Sequence, residues 1–215
     1  QLHDKHLIEG VLIPTEDRAT ACVSSQVGCS LTCSFCATGF LKRERNLTAA
    51  EIYDQVVLIN NQALESLGRG LTNIVFMGMG EPLLNYSNVL SAIDKITSEE
   101  GLNMAAKRIT VSTAGIAKMI KKLADDGVKF NLALSLHAAD DEKRNTIMPI
   151  NEQNNIEVLI EALQYFQSKC KSEVTFEYIL LDGVNDTLED AKKLVDICRK
   201  LKDVKINVIE YNKIE

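Results

Sequence analysis

Short apolar segments alternate with stretches of helical periodicity along most of the chain. The apolar segments predict six strands, at 20–24, 73–77, 108–112, 129–136, 173–180 and 205–209. Apolar residues spaced three and four apart predict five helices, at 48–67, 87–97, 116–126, 156–169 and 188–201. Thr48 and Glu51 form the capping box that is typical of a helix start. Strand-helix repeats without hairpin signals favour a parallel sheet.

Side chains in the fourth predicted strand alternate between an apolar and a more polar face. Leu132, Leu134 and Leu136 share one face, and residues 131, 133, 135 and 137 share the other. We expect the leucines to meet the helices and the polar face to line the interior of a curled sheet. Glu177 and Lys205 fall on the same polar face, and we predict an ion pair between them.

Composition restricts the class of protein. With 215 residues and 46% hydrophobic content, the sequence predicts a single domain at 1–215, with an extended lead-in at 1–17 and the main fold at 18–212. The sequence does not lead us to expect a membrane span or a secretory signal, and six cysteines suit a reducing cytoplasm. A net charge of -6 disfavours nucleic-acid binding, although the clusters at 42–45 and 118–122 supply local positive charge.

Three cysteines within eight residues form the main candidate for chemistry. Cys29, Cys33 and Cys36 are separated by three and then two residues, and can converge on one metal centre. Structural zinc takes four ligands, whereas a [4Fe-4S] cluster takes one thiolate per iron, so three cysteines leave one iron open. S-adenosylmethionine carries the amine and carboxylate that can chelate it. A zinc site completed from a distance by His137 and unlinked core cysteines remain the alternatives.

The residues around these cysteines carry a resemblance to a known family. Cys-x3-Cys-x2-Cys with Phe35 before the last cysteine resembles the signature of the radical S-adenosylmethionine (SAM) enzymes. Further segments, at 17–29, 45–48, 77–85, 135–137 and 148–151, resemble the RlmN/Cfr family of RNA adenosine methyltransferases over essentially the whole chain. The resemblance implies a partial (β/α)6 barrel with outer helices, in which chemistry occurs at the carboxyl ends of the strands.

The same resemblance implies a [4Fe-4S] cluster held by the three cysteines and a bound S-adenosylmethionine. The cofactor contacts that it implies are Gly80, Glu81, Ser112, Ser135, Leu136, His137 and Asn212. Taken one at a time, each of these residues is more typical of an ordinary turn, cap or polar core position. Their shared location at predicted strand ends favours cofactor binding.

Resemblance to the family also implies the reaction. An adenosine in large-subunit ribosomal RNA or transfer RNA would be methylated, at carbon 2 as in RlmN or at carbon 8 as in Cfr, and we expect carbon 2. The cluster would reduce S-adenosylmethionine to a 5'-deoxyadenosyl radical, and a methylated cysteine near the C-terminus would carry the methyl group. Cys22 matches the cysteine that resolves the protein-RNA crosslink by forming a disulfide, and Glu9 matches the proton acceptor. We expect an electron donor such as flavodoxin, and a monomer.

The sequence departs from the family pattern at both ends. The methyl-carrying cysteine should follow Asn212, but the sequence stops at Glu215, and most of the N-terminal accessory domain is missing. Cys170 and Cys198 lie in or beside predicted helices, and we interpret both as structural. We therefore expect a core fragment that does not complete methyl transfer by itself. A different radical SAM enzyme and a non-enzymatic iron-sulfur or zinc module are the remaining alternatives.

Overall fold

The computed structural model describes residues 1–214, which form two compact units. The first unit comprises Gln1–Ser30 and Leu41–Ser112, and the second comprises Leu31–Phe40 and the residues from Thr113 onward. The strands are β1 Val11–Pro14, β2 Ala19–Cys22, β3 Gln26–Val27, β4 Arg45–Asn46, β5 Asn73–Phe76, β6 Ile109–Thr113, β7 Asn131–Ser135, β8 Val174–Leu180 and β9 Val204–Glu210. The α-helices are α1 Ala49–Leu67, α2 Tyr86–Thr97, α3 Ala117–Asp125, α4 Asp141–Ile147, α5 Ile156–Lys169 and α6 Leu188–Cys198.

In the first unit the strand order is β1-β2-β5-β6, and β2, β5 and β6 run parallel. The remaining strands, β3 and β4, form a separate two-residue antiparallel ladder. Helices α1 and α2 belong to this unit, and α1 begins with the predicted capping box, in which Thr48 and Glu51 exchange hydrogen bonds. Parallel pairing brings the carboxyl ends of β2, β5 and β6 to the same edge of the sheet.

The first strand differs from the prediction. Residues 11–14 were expected as an extended lead-in, but they form β1, which pairs antiparallel with β2. The Thr15 amide donates to the Arg18 carbonyl at 2.8 Å across the connecting turn. A turn of this length permits only an antiparallel neighbour, because a parallel connection needs a crossover of a dozen or more residues.

In the second unit β7, β8 and β9 run parallel in that order. The three leucines that we assigned to the apolar face of the fourth predicted strand are fully buried. They are Leu132, Leu134 and Leu136. A Cβ built on Gly115 would lie 2.9 Å from Leu159 of α5 and 3.2 Å from Leu134, so Leu134 and this helix border the same glycine. Helix α4 was not predicted, because its seven residues are too few to show a period.

The predicted ion pair between Glu177 and Lys205 is wrong. In the register of β8 and β9, Glu177 faces Asn207, while Lys205 faces Thr175. The Asn207 amide donates to Glu177 Oε2 at 2.6 Å, and Lys205 instead pairs with Glu173 at 2.7 Å. Lys205 and Glu173 are largely exposed, so their ion pair lies at the surface. Glu177 is buried, which raises the pKa of its carboxyl, and its hydrogen-bond partner is the neutral side chain of Asn207.

None of the helices within residues 1–214 combines the length and the apolar character that a bilayer crossing needs.

Candidate functional site

The cysteine loop begins in the first unit. Cys29 follows β3 and donates its backbone N–H to the Leu41 carbonyl at 3.3 Å, beside an isolated bridge to Lys42. These two contacts fix the backbone at Cys29 although the residue belongs to neither a helix nor a strand. Its thiol is partly exposed and forms no disulfide.

Cys33 and Cys36 belong to the second unit and lie in consecutive tight turns. The Cys36 amide donates to the Cys33 carbonyl at 3.2 Å, and the Gly39 amide donates to the Cys36 carbonyl at 2.9 Å. The Ser34 amide donates to the carbonyl of Ile147, the last residue of α4, at 3.0 Å. This part of the loop also packs on a small apolar cluster. The loop residues are Leu31, Cys33 and Phe35, and the cluster includes Ala114, Ala138, Ile147 and Met148.

The three cysteines fit an iron-sulfur cluster by the chemistry of their donors. None of the three thiols forms a disulfide and all three have intermediate exposure, and three thiolates leave one of four irons for another ligand. Among residues 1–214, no three His, Cys, Asp or Glu side chains gather closely enough to hold a single metal ion. Each thiolate of a cluster binds a different iron, so cluster binding does not require convergence on one point.

The glycine-rich segment after β5 is tied to the segment after β2 within the first unit. The Met79 amide donates to Ser24 Oγ at 2.8 Å, and the amides of Ser25 and Gln26 both donate to the Met79 carbonyl, at 2.9 and 3.1 Å. Glu81 is buried, and its carboxylate accepts the Leu83 amide at 3.0 Å. Backbone groups of both segments are therefore held at the carboxyl ends of their strands.

Two buried amide side chains in this unit were not among the predicted site residues. Gln26 accepts the Glu81 amide at 2.9 Å and donates to Asn46 at 2.7 Å. Asn85 donates to the carbonyls of Ser25 and Leu47, at 2.8 and 2.7 Å. Both residues occur inside segments that carry the family resemblance, which is the only sequence signal that pointed to them.

Cys22 and Glu9 lie close to each other because β1 and β2 are antiparallel. Cys22 is the last residue of β2 and faces Val11, the first residue of β1, and Glu9 precedes that strand by two residues. The Ser24 hydroxyl donates to the Glu9 carbonyl at 2.6 Å, whereas the Glu9 side chain is exposed. Burial raises the pKa of the Cys22 thiol, so it is protonated at neutral pH.

His137 occupies a constrained position just beyond β7. Its φ of 56° is unusual for a residue other than glycine, and its carbonyl accepts the Asn185 side-chain amide at 2.6 Å. Nδ1 accepts the Ile179 amide at 3.1 Å, and the Phe35 ring packs edge-on at 4.6 Å. Burial and, to a smaller extent, the charge of Arg144 lower the pKa of His137 to about 3, so the ring is neutral. Its proton is on Nε2, which makes that atom a donor.

The other predicted cofactor contacts lie at strand ends, as expected. Ser112 is the penultimate residue of β6 in the first unit and is buried. In the second unit Ser135 ends β7, Leu136 is fully buried, and Asn212 is exposed two residues beyond β9. Cys170 follows α5 and Cys198 ends α6, and burial raises the pKa of both thiols.

Comparison with known proteins identifies the family. The model of the radical SAM superfamily matches residues 23–196, a range that contains the three cysteines, the glycine-rich segment and His137. The chain belongs to the radical SAM superfamily. This membership implies a [4Fe-4S] cluster and S-adenosylmethionine as cofactors, and it confirms the predicted fold class of a partial α/β barrel.

Two curated relatives and a solved structure agree with this membership. The chain is 66% identical over 215 residues to a probable dual-specificity RNA methyltransferase RlmN from Cytophaga hutchinsonii, covering all of this chain and 59% of that protein. It is 60% identical to the corresponding protein of Christiangramia forsetii, covering all of this chain and 61% of that protein. The crystal structure of a radical SAM methyltransferase from Sphaerobacter thermophilus matches with a TM-score of 0.94 and 45% identity, covering 98% of this chain and 61% of that one.

These matches confirm the resemblance to RlmN that the sequence motifs predicted. The chain spans about three fifths of the length of these radical SAM relatives. The roles of the individual site residues are consequently argued below as proposals.

Proposed function

We propose that this chain is the catalytic core of a radical SAM enzyme that methylates carbon 2 of adenosine in large-subunit ribosomal RNA and in transfer RNA. The observation that carries this proposal is the 66% identity to a protein named as a probable dual-specificity RNA methyltransferase, over the full length of the chain. The local arrangement of Cys22 and Glu9 supports it, because an enzyme that only cleaves S-adenosylmethionine has no need of this pair.

In this proposal Cys29, Cys33 and Cys36 hold the cluster. Gly80, Glu81, Ser112, Ser135, Leu136, His137 and Asn212 contact S-adenosylmethionine. When bound, the two groups supply an electron, a radical and the methyl group. The chain's own residues orient the cofactor: the buried Glu81 carboxylate suits an ammonium group, and the neutral His137 ring offers a donor on Nε2.

Cys22 has the role of releasing the product. A methylcysteine intermediate would join the base, and the resulting protein-RNA crosslink would be resolved when Cys22 forms a disulfide with the methyl-carrying cysteine. The thiolate is the attacking form, and burial raises the pKa of Cys22, so its proton must be removed first. Glu9, beside the start of β1, is the proposed proton acceptor.

The partners and location follow from the same assignment. Six cysteines outside any disulfide fit a reducing compartment, and we propose that the enzyme is a cytoplasmic monomer. An electron donor such as flavodoxin would reduce the cluster. The net charge of -6 means that RNA contacts depend on local basic residues or on parts of the protein outside this chain.

The test is to identify the product of the full-length enzyme. Reconstituted anaerobically, it would be given unmodified ribosomal RNA or transfer RNA, S-adenosylmethionine and reductant, and the modified adenosine analysed by mass and by methyl position. A methyl on carbon 2 supports the proposal. A methyl on carbon 8 would assign the Cfr-like reaction, and cleavage of S-adenosylmethionine without RNA methylation would overturn the RNA assignment.

A second experiment tests Cys22 directly. Cys22→Ala should trap a covalent adduct of enzyme and RNA, visible as a slower band on a denaturing gel. Cys198→Ala is the matched control, because Cys198 is also a partly buried thiol of raised pKa but lies at the end of α6. Normal turnover by Cys22→Ala would refute the role.

A further inference from the structure

Arg144, in the short helix α4, is fully buried beneath the second part of the cysteine loop. Its guanidinium donates to three backbone carbonyls, those of Leu136 at 2.9 Å, Ala114 at 2.7 Å and Ser135 at 3.0 Å. A fourth bond goes to the side-chain oxygen of Asn151 at 2.6 Å. The side chain therefore uses most of its donors on neutral groups at strand ends and loops of one unit.

No carboxylate in the described residues 1–214 forms an ion pair with Arg144. The Asn151 amide donates to Asp141 Oδ1 at 2.8 Å, and the Asn151 side-chain oxygen accepts from Arg144. Asp141 is therefore linked to Arg144 by hydrogen bonds through the neutral Asn151 side chain. The neutral acceptors hydrogen-bond the guanidinium but do not cancel its charge. A negative charge placed nearby would therefore stabilise it further.

The cysteine loop is the segment that can supply that charge. The Ser34 amide binds the Ile147 carbonyl one turn along α4, and Cys33 packs on the cluster that contains Ala114, whose carbonyl binds Arg144. Burial lowers the pKa of Arg144 to about 10, so the guanidinium stays charged at neutral pH. Its hydrogen bond to the Ala114 carbonyl places it beside the apolar cluster on which Cys33 packs.

We propose that Arg144 is the permanent counter-charge of the iron-sulfur cluster bound at Cys33, and that it raises the cluster's reduction potential. One-electron reduction adds a negative charge to the cluster, and a nearby cation in a low-dielectric environment favours that form. Arg144 is a positioning and tuning residue, since its bonds go to backbone carbonyls and Asn151. The proposal rests on cluster binding by the superfamily motif and does not depend on the RNA substrate.

The test is the reduction potential of the cluster in the full-length protein without RNA, reconstituted anaerobically, titrated with dithionite and followed by electron paramagnetic resonance. Arg144→Met should lower the ratio of reduced to oxidised cluster at a fixed potential about tenfold, a fall of about 59 mV for one electron. Arg144→Lys keeps the charge but not the planar fork, and should recover part of the loss. An unchanged potential in Arg144→Met would overturn the proposal.

Asp141→Asn separates charge from structure if Arg144→Met loses its cluster. The amide oxygen that replaces Oδ1 can still accept from Asn151 and from the Ile156 amide, at 2.8 and 3.0 Å in the native protein. Removing this anion leaves Arg144 less compensated and should raise the potential, by less than Arg144→Met lowers it. No change, or a fall, would refute the electrostatic role. Arg199→Met removes an exposed arginine charge that pairs with Asp196, and should leave the potential unaltered.

Discussion

Gly80 offers a sharp test of how tightly the glycine-rich segment is built. Its φ is 92°, a region that residues with a Cβ rarely adopt. A Cβ added there would lie 2.4 Å from Gln26 Cβ and 2.7 Å from Gln26 Oε1. Gln26 is fully buried and held by hydrogen bonds to Asn46 and Glu81, so it cannot swing away. Gly80→Ala must therefore strain the backbone and displace Gln26.

The expected cost has two parts. The left-handed backbone costs an alanine about 1–2 kcal/mol, and forcing extra volume into a packed site costs about 1–3 kcal/mol. We expect Gly80→Ala to lower the free energy of unfolding by roughly 2–5 kcal/mol. Gly68→Ala is the matched control: Gly68 has φ 68° at the end of α1, and no atom lies within 4 Å of the position that an added methyl group would take. It should lose only the backbone part, about 1–2 kcal/mol.

The assay is urea unfolding of both variants in the reduced full-length protein without cofactors. Thermal unfolding of the same two variants should also separate their melting temperatures, by roughly 2–4 °C for each kcal/mol of difference in stability. Equal losses in Gly80→Ala and Gly68→Ala would refute the claimed contact with Gln26. Binding of S-adenosylmethionine to the reconstituted protein should weaken in Gly80→Ala and persist in Gly68→Ala.

Three further predictions concern other parts of the chain. Arg45 pairs with Glu51 at 2.7 Å and lowers the pKa of Glu51 from 4.5 to about 2, so the pair stabilises the fold above about pH 4.5 and its contribution is lost as the pH falls toward 2. Arg45→Met should make the free energy of unfolding, measured in urea, less dependent on pH in this range. An unchanged dependence on pH would contradict the pairing. Asn185→Ala should lower the free energy of unfolding by about 3 kcal/mol or more, because it leaves the His137 and Ile179 carbonyls and the Leu181 amide without their partner. Asn155→Ala, at the exposed start of α5, should lower it by about 1 kcal/mol in the same assay. Alkylation of Cys22 in the reduced protein, followed by mass spectrometry, should keep accelerating with pH beyond 9, because burial raises its pKa above 9.0; a plateau below pH 9 would be inconsistent with the buried thiol.

Periodicity predicted the regular elements that are long enough to show one. All six predicted strands and all five predicted helices are present, with boundaries that differ by at most three residues. The strands and the α-helix that the sequence missed have physical reasons. Strand β1 carries no alternation that distinguishes it from an extended lead-in, β3 and β4 have only two residues each, and α4 has seven residues, too few for two turns of a helical stripe.

The candidate site divides in a similar way. Cys29, Cys33 and Cys36 were predicted as cluster ligands because cysteine spacing is a local property of the sequence. Arg144 and Asn185 were not, because their roles depend on carbonyls that are distant in the chain: Arg144 binds Ala114, thirty residues earlier, and Asn185 binds His137, 48 residues earlier. An arginine in a stretch of charged residues is interpreted as surface unless the fold is known.

A common principle underlies these unpredicted residues. The predicted cofactor contacts lie in segments outside helices and strands or at their ends, where backbone groups lack the partners that regular structure provides. Buried side chains supply those partners instead: Asn85 binds two carbonyls in the first unit, and Arg144 binds three in the second. Each loop is therefore held in place before any cofactor binds, which reduces the ordering cost of binding. Substitution of such an anchor should lower the stability of the cofactor-free protein as well as cofactor binding, whereas substitution of an exposed predicted contact such as Asn212 should affect binding alone.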